Sequence, residues 1–240
     1  MENSIPPQKL ERLSVQKMKE EVLSHFHFEK GIAFTFFMML KDPERLVDIY
    51  LNEDRKRVFN PFRFLLIGVA VSTLILINHQ GFRAFLAGLQ SQNMESFKIL
   101  EEKLNLPLWD TFQRAQELFL SYQNILIIIS LPAVSWITWK YFRSSGFNYA
   151  EHLAINGFVF GATYWFSSIV VLGSYFSDST LIATYLTTLT NFALATYFYF
   201  RIFRKGFFRS LFGILLANIP LYLIGILSQM LLFLLLLIML

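Results

Sequence analysis

Cysteine is absent from all 240 residues. Its absence excludes disulfides, thiolate metal sites and cysteine nucleophiles. Charge is also scarce, with Asp, Glu, Lys and Arg making up 16% of the chain against the quarter usual for soluble domains. Five stretches carry none: 19 residues between Arg63 and Arg83, 22 between Glu117 and Lys140, 26 between Glu151 and Asp178, 22 between Asp178 and Arg201, and 31 after Arg209. The alternation that barrel strands need is missing too, because Ile125 to Ile129 and Met230 to Leu240 are continuously apolar.

What is present is apolar: 55% of residues are hydrophobic and 17% aromatic, 27 of them Phe. That excess excludes a disordered or fibrous chain and argues against an ordinary soluble globule. A helix crosses the hydrocarbon in about 20 residues and satisfies its own backbone there. The five uncharged gaps therefore predict an all-α integral membrane bundle of five transmembrane helices, over about 62–80, 118–139, 153–176, 181–200 and 210–240. Residues 62–240 form the membrane domain, and 1–61 a cytoplasmic and interfacial helical segment.

Lys and Arg set the expected orientation. Counting only those near span ends, a cytoplasmic N-terminus puts 10 inside (Arg55, Lys56, Arg57, Arg63, Lys140, Arg143, Arg201, Arg204, Lys205, Arg209) and four outside (Arg83, Lys98, Lys103, Arg114). Five crossings then leave the C-terminus periplasmic or extracellular. The chain opens Met1-Glu2-Asn3-Ser4 and its first long apolar run waits until Phe64, so targeting is expected to use the first span itself. The net charge of +4 is explained by this topology, and no nucleic-acid partner is expected.

Before the first span, Gln8 to Ser24 reads as a solvated helix. Gly31 to Leu40 is too short to span, and is expected to lie in the interface or on the bundle. Asp42-Pro43 reads as an N-cap and first helical residue, opening a flat helix with Leu46, Val47, Tyr50 and Leu51 on one stripe. Arg55, Lys56 and Arg57 follow as a candidate contact to lipid headgroups or a partner, each cation near a bilayer surface contributing roughly 1 kcal/mol. The reading favoured for the same three cations is a topology anchor.

His25-Phe26-His27-Phe28-Glu29-Lys30-Gly31, Thr35, Leu40-Lys41-Asp42-Pro43, Tyr50-Leu51, Arg55-Lys56-Arg57 and Phe59-Asn60-Pro61-Phe62-Arg63-Phe64-Leu65 together resemble the opening of an uncharacterised bacterial family of multi-spanning membrane proteins, a domain of unknown function. The resemblance covers about residues 25–66 and implies a bacterial inner-membrane location. Many members of that family begin with a zinc ribbon of paired cysteines, which this cysteine-free chain lacks. The five-span, N-inside arrangement is also similar to that of Yip1-like proteins.

No motif for hydrolysis or nucleotide chemistry is present, and neither an enzyme nor a cofactor is expected. His25 and His27 have no third ligand nearby to complete a metal site. His79 and His152 stand at span ends, where both are expected to reach the interface. Neutral polar residues are plentiful inside the spans, among them Gln123, Asn124, Ser130, Asn156, Thr163, Thr184, Thr187, Thr188, Thr190, Asn191, Asn218 and Gln229. They read as interhelical hydrogen bonds. Alternatively, Asn156 and Asn191 line a polar cavity as solute contacts. Gly157 and Gly161 are spaced for close helix packing, against another span or a second protomer. Pro132 and Pro220 predict kinks. In the outer loop Met94, Phe97, Leu100 and Leu104 form an amphipathic stripe that Pro107 ends, reading either as a cover for the bundle or as a docking surface.

The expected role is non-catalytic: a scaffold or accessory subunit in contact with membrane lipids and a protein partner or further copies of itself. The alternative is a transporter or channel for a neutral or lipid-like solute.

Overall fold

The computed structural model describes residues 27–78, 94–175 and 180–239. The helix expected over Gln8 to Ser24, together with His25 and His79, lies outside these residues. The elements are α1 (His27–Lys41), α2 (Pro43–Asp48) running into a π turn (Ile49–Glu53), α3 (Pro61–Asn78), α4 (residues 94–104), α5 (Leu108–Tyr141), α6 (Tyr149–Ser174), α7 (Thr180–Phe203) and α8 (Phe207–Ile238). No strand occurs among the described residues.

Each of the five uncharged stretches overlaps a helix among the described residues, but the helices differ in how well they suit a bilayer. Pro61–Asn78, Tyr149–Gly173 and Phe207–Ile238 are long and apolar enough to cross a membrane. A fourth crossing follows if Leu108–Gln123 and Ile125–Tyr141, which meet at 66°, count as one. The fold is thus all-helical with three to four candidate crossings. The shortfall from five lies in α7, which has the length at 24 residues but is diluted by its threonines, three tyrosines and Asn191. The bend in α5 also departs from the proline expectation. It falls about two turns before Pro132, while Pro220 sits inside an uninterrupted α8.

The most extensive pairings are α3 along α6 and α5 along α8, with α7 packed against both α6 and α8. The α3–α6 seam is made of glycines. A Cβ on Gly157 would stand 3.0 Å from that of Pro61, and one on Gly161 would meet the Phe64 ring at 2.5 Å and the Leu65 amide nitrogen at 3.1 Å. Gly68 faces back, where a Cβ would lie 3.1 Å from the Gly161 carbonyl and 3.0 Å from Trp165. The Trp165 indole N–H donates to the Phe64 carbonyl across the same seam (3.3 Å). Small residues let two backbones approach this closely, and here the partner is another helix of the same chain. Gly213 of α8 plays the same part for the Phe142 ring.

The short apolar segment packs on the bundle. Met39 of α1 is buried, the Thr35 hydroxyl accepts from the Phe59 amide (3.0 Å), and the Tyr197 hydroxyl donates to the Leu40 carbonyl (3.3 Å). The Asp42 side chain caps α2, accepting from the Arg45 amide (3.4 Å), with Pro43 at the first helical position. Leu46, Val47 and Ile49 are then buried, and Tyr50 meets Phe158 of α6 edge-on at 5.1 Å between ring centroids. Phe37, 66% exposed, points the other way. In the segment before α5, Phe97 of α4 stacks on Phe112 (4.9 Å), and the Glu101 carboxylate accepts from the Trp109 amide at the start of α5 (2.7 Å). Leu100 and Leu104 remain exposed, so α4 covers the bundle through only part of its stripe.

A methyl group at Gly161 has to displace the Phe64 ring or the α3 backbone, and overpacking of this kind costs about 1–3 kcal/mol. Around Gly173, on the same helix, a Cβ would meet nothing within 4 Å. Gly161→Ala is expected to lower the unfolding midpoint in detergent, while Gly173→Ala leaves it unchanged or raises it slightly through helix propensity; thermal or SDS titration of the two variants side by side is the check.

Candidate functional site

Two regions gather the polar side chains, one inside the bundle and one above it. The inner one is assembled by helix spacing. Ser135 and Thr138 stand three apart on α5, and His152 and Asn156 four apart on α6, so each pair shares a helix face. The intervening turn aims the faces at one another. A 3-10 turn (Arg143–Ser145) ends at Gly146, whose φ of +86° suits a residue without Cβ. Asn148 then starts α6 with a capping box: its side chain accepts from the Glu151 amide (3.0 Å), and the Glu151 carboxylate accepts from the Asn148 amide (2.7 Å).

Asn156, fully buried, is the hub. Its Nδ2 donates to Ser135 Oγ (3.1 Å) and Thr138 Oγ1 (2.9 Å), and its Oδ1 accepts from the Tyr199 hydroxyl of α7 (2.6 Å). Three helices are thereby joined through one amide.

His152 does not reach the interface as its place near the start of α6 suggested. It is fully buried, stacked on Phe203 at 5.0 Å with Phe147 edge-on at 6.3 Å, because the turn before α6 and the end of α7 fold these rings over it. Its Nδ1 lies 3.2 Å from Thr138 Oγ1. The same Thr138 hydroxyl lies 3.1 Å from the Ser135 carbonyl, and His152 Nε2 is buried with no partner among the described residues.

Asn191 sits apart from this knot. One end of its amide meets Ser167 Oγ (2.7 Å), and it lines a separate cavity of about 120 Å³ with Thr163, Tyr164 and Asn218. The two asparagines that read as a shared solute site are not brought together.

Above the knot, a cleft of about 550 Å³ opens between α2 and the end of α7, and Phe147 and Phe203 form part of its wall. Its charged groups are paired. Arg201 Nη2 donates to Asp42 Oδ1 (3.2 Å), Arg204 pairs with Glu44, and Arg45 bridges Asp48 (2.8 Å) and Glu53. Hydrogen bonds from Asn52 and then Arg45 hold the Asp48 carboxyl below the usual carboxylate range. Asp48 therefore contributes stability above the ordinary carboxylate pKa and loses it only as pH falls through the lowered value. Glu44 likewise raises the Arg204 guanidinium. Of these exposed pairs, those of Arg201 with Asp42 and Arg204 with Glu44 tie the start of α2 to the end of α7, and pairs so exposed contribute little to stability.

Arg55, Lys56 and Arg57 form an exposed turn directly before α3. Arg55 lies over the Tyr50 ring (5.8 Å) and Arg57 over that of Phe34 (5.6 Å), while the Lys56 amide donates to Asp54 Oδ1 (2.9 Å). The same end of the bundle carries Lys140 over Trp139 (4.6 Å) and Arg209 over Tyr141 (5.6 Å). It is a ring of cations set on aromatic faces.

Sequence reasoning singled out Asn156 but not its partners Ser135 and Thr138, nor the pairing of Asp42 and Glu44 with Arg201 and Arg204; Tyr199, which its place just before Arg201 suggests as an interfacial aromatic, is instead fully buried on Asn156. The i,i+3 and i,i+4 spacings were visible signals for the knot. The ion pairs join residues about 160 positions apart, and no local pattern announces them. No group of three potential metal ligands occurs among the described residues.

The apolar helices and the polar groups gathered among them define a helical membrane protein of unknown activity. A family described as a protein of unknown function (DUF3667) matches residues 29–73, from within α1 into α3. This segment includes Asp42, Glu44, Arg45, the basic turn and Gly68, and stops short of α5 to α8. No curated protein and no solved structure matches the chain.

Removing the Tyr199 hydroxyl leaves the buried Asn156 oxygen without its donor. Interhelical bonds of this type are worth about 0.6–2 kcal/mol in membranes, and an orphaned buried acceptor about 1–3 kcal/mol. Tyr199→Phe is expected to cost about 1 kcal/mol of stability and Asn156→Ala more, since it severs three links; reversible unfolding in mixed micelles measures both.

Proposed function

We propose that this chain is a five-span protein of the bacterial inner membrane, N-terminus cytoplasmic, acting as a non-catalytic scaffold or accessory subunit. The observation that carries this reading is the sealed interior. Asn156, at its hub, has its donors and its acceptor already engaged by Ser135, Thr138 and Tyr199, and is fully buried. Such an arrangement holds helices together and offers nothing to a substrate. Groups available to partners lie outside: the basic turn Arg55 to Arg57, the exposed Phe37, and the cations resting on aromatic rings. Their chemistry suits anionic headgroups of the cytoplasmic leaflet or an acidic partner.

Counting α7 as the fifth crossing is supported by its position between α6 and α8 and by side-chain bonds that engage its polar residues, such as Thr196 Oγ1 to the Phe192 carbonyl (2.7 Å). The alternative, a conduit for a neutral solute, draws on the cavity beside Asn191. At about 120 Å³ that cavity is well below the ~300 Å³ typical of small-molecule sites, and Asn156 does not open onto it.

Two measurements test the proposal. A tag on the C-terminus should be cleaved by protease added outside spheroplasts, and protection would overturn the orientation. Affinity purification after mild detergent extraction should recover a different protein in fixed ratio, and its consistent absence would remove the scaffold reading.

A further inference from the structure

The cations at the basic end of the bundle are not equivalent. Arg45, Arg201 and Arg204 are neutralised by carboxylates of the N-terminal helices. The basic turn follows directly on Glu53 and Asp54. A third group, where the end of α5 meets the start of α8, has no such neighbour. Residues 118–150 carry Lys140 and Arg143 as their only formal charges, and residues 179–240 carry Arg201, Arg204, Lys205 and Arg209 with no acid among them. The next carboxylate along the chain, Glu151, is taken up by the Asn148 amide in its capping box. Among the described residues no carboxylate pairs with Lys140, Arg143, Lys205 or Arg209.

These four are nevertheless held together. Lys205 Nζ donates to the Ser144 carbonyl (3.3 Å) and Arg209 Nη2 to the Tyr141 carbonyl (3.3 Å), so α8 brings its two cations onto the segment that carries Lys140 and Arg143. Each carbonyl engages one N–H of a group that has several. Rings support them from beneath, with Lys140 over Trp139 (4.6 Å) and Trp136 (5.9 Å) and Arg209 over Tyr141 (5.6 Å). The remaining N–H groups are available to an anion rich in oxygen. The corner also stands where α8 begins its apolar run, Lys205 just before the helix and Arg209 in its first turn. Beside it Trp136, Phe207, Phe208 and Phe212 are exposed, Phe208 by 82%. Unneutralised cations next to bare aromatic side chains suit a molecule that is anionic at one end and apolar at the other. A free phosphate would use only the cations.

We propose that the junction of α5 and α8 is a headgroup site for an anionic phospholipid, its phosphate among Lys140, Arg143, Lys205 and Arg209 and its acyl chains along the exposed aromatics of α8. This narrows the headgroup reading given above to one site, and rests on the placement of α5 and α8 in the bilayer proposed there. A topology anchor only has to keep its charges on one side during insertion. A site goes on selecting its lipid once insertion is complete.

The absence of cysteine allows a single reporter. Phe208→Cys, labelled with bimane, is reconstituted in phosphatidylcholine vesicles containing a minor fraction of lipid brominated near the headgroup, either phosphatidylglycerol or phosphatidylcholine. Brominated phosphatidylglycerol should quench about fivefold more effectively, the ratio that the attraction of one surface cation supplies. Adding Lys205→Gln and Arg209→Gln should bring the ratio to one. Arg63→Gln, which removes a cation from the matching place in the first turn of α3, should leave it unchanged. With every cation in place, sodium chloride near ~1 M, where charges are screened beyond ~3 Å, should also collapse the ratio, and inorganic phosphate at matched ionic strength should do no more than chloride. A ratio of one with the four cations intact, a ratio that survives the double substitution or the salt, an equal fall with Arg63→Gln, or a specific effect of inorganic phosphate would each overturn the proposal. A ratio of one with the C-terminal tag still cleaved from outside rejects the lipid site and leaves the topology standing.

Discussion

A side-chain amide in an apolar interior has to find hydrogen-bond partners, and Asn156 finds them on both neighbouring helices. Its bonds to Ser135 and Thr138 fix the rotation of α6 against α5, and the Tyr199 bond fixes α7 against both. A rotation of any one helix by a residue would strand at least one buried polar atom, at about 1–3 kcal/mol each. Hydrophobic packing among Phe, Leu and Ile is far less discriminating, because one greasy contact substitutes for another. The knot therefore specifies an arrangement that apolar burial only makes favourable. With α6 and α7 so oriented, Phe147 and Phe203 close over His152 and become part of the cleft above.

The glycine seam does the complementary work on the other side of α6. Gly157, Gly161 and Gly68 remove side-chain volume where α3 crosses, so dispersion contacts and the Trp165 indole bond operate between near-touching backbones. Because α3 begins at Pro61, this anchor also sets where the preceding basic turn emerges, and with it α1 and α2. The N-terminal helices bury Met39, Leu46, Val47 and Ile49 in the same core cluster as α6 and α7. Although residues 29–73 are the part recognisable as a family segment, their described contacts tie them to helices outside that segment.

Much of this was legible from charge spacing and apolar runs. The helical class, the helix positions, the Asp42-Pro43 start and the close-packing role of Gly157 and Gly161 all follow from local rules of capping, period and side-chain size. The rest depends on which face meets which. His152 looks interfacial by its chain position, and only the fold of Phe147 and Phe203 shows it enclosed. Asn156 and Asn191 look like a pair on adjacent helices, yet they sit at different depths with different partners. The α7 helix shows the limit of a purely compositional criterion, since its threonines read as polar dilution while Thr196 returns its hydroxyl to the Phe192 carbonyl of its own helix.

Two of the helices are longer than the hydrocarbon is thick. At ~1.5 Å per residue α8 runs about 48 Å, well beyond the ~30 Å hydrocarbon thickness, and α5 is longer still with 34 residues. The knot and the Gly213–Phe142 contact fasten the half of α5 nearest the basic end. The bend of 66° falls at the middle of the helix, beyond the last of these fastenings. Past the bend α8 still keeps company with α5, since Phe119 lies 3.7 Å from where a Gly225 Cβ would stand. Beyond the bend, α4 lies against the start of α5 through Phe97, Trp109 and Phe112. The end that carries the cations, the cleft and the docked N-terminal helices is the end that the knot and the Gly213–Phe142 contact fasten.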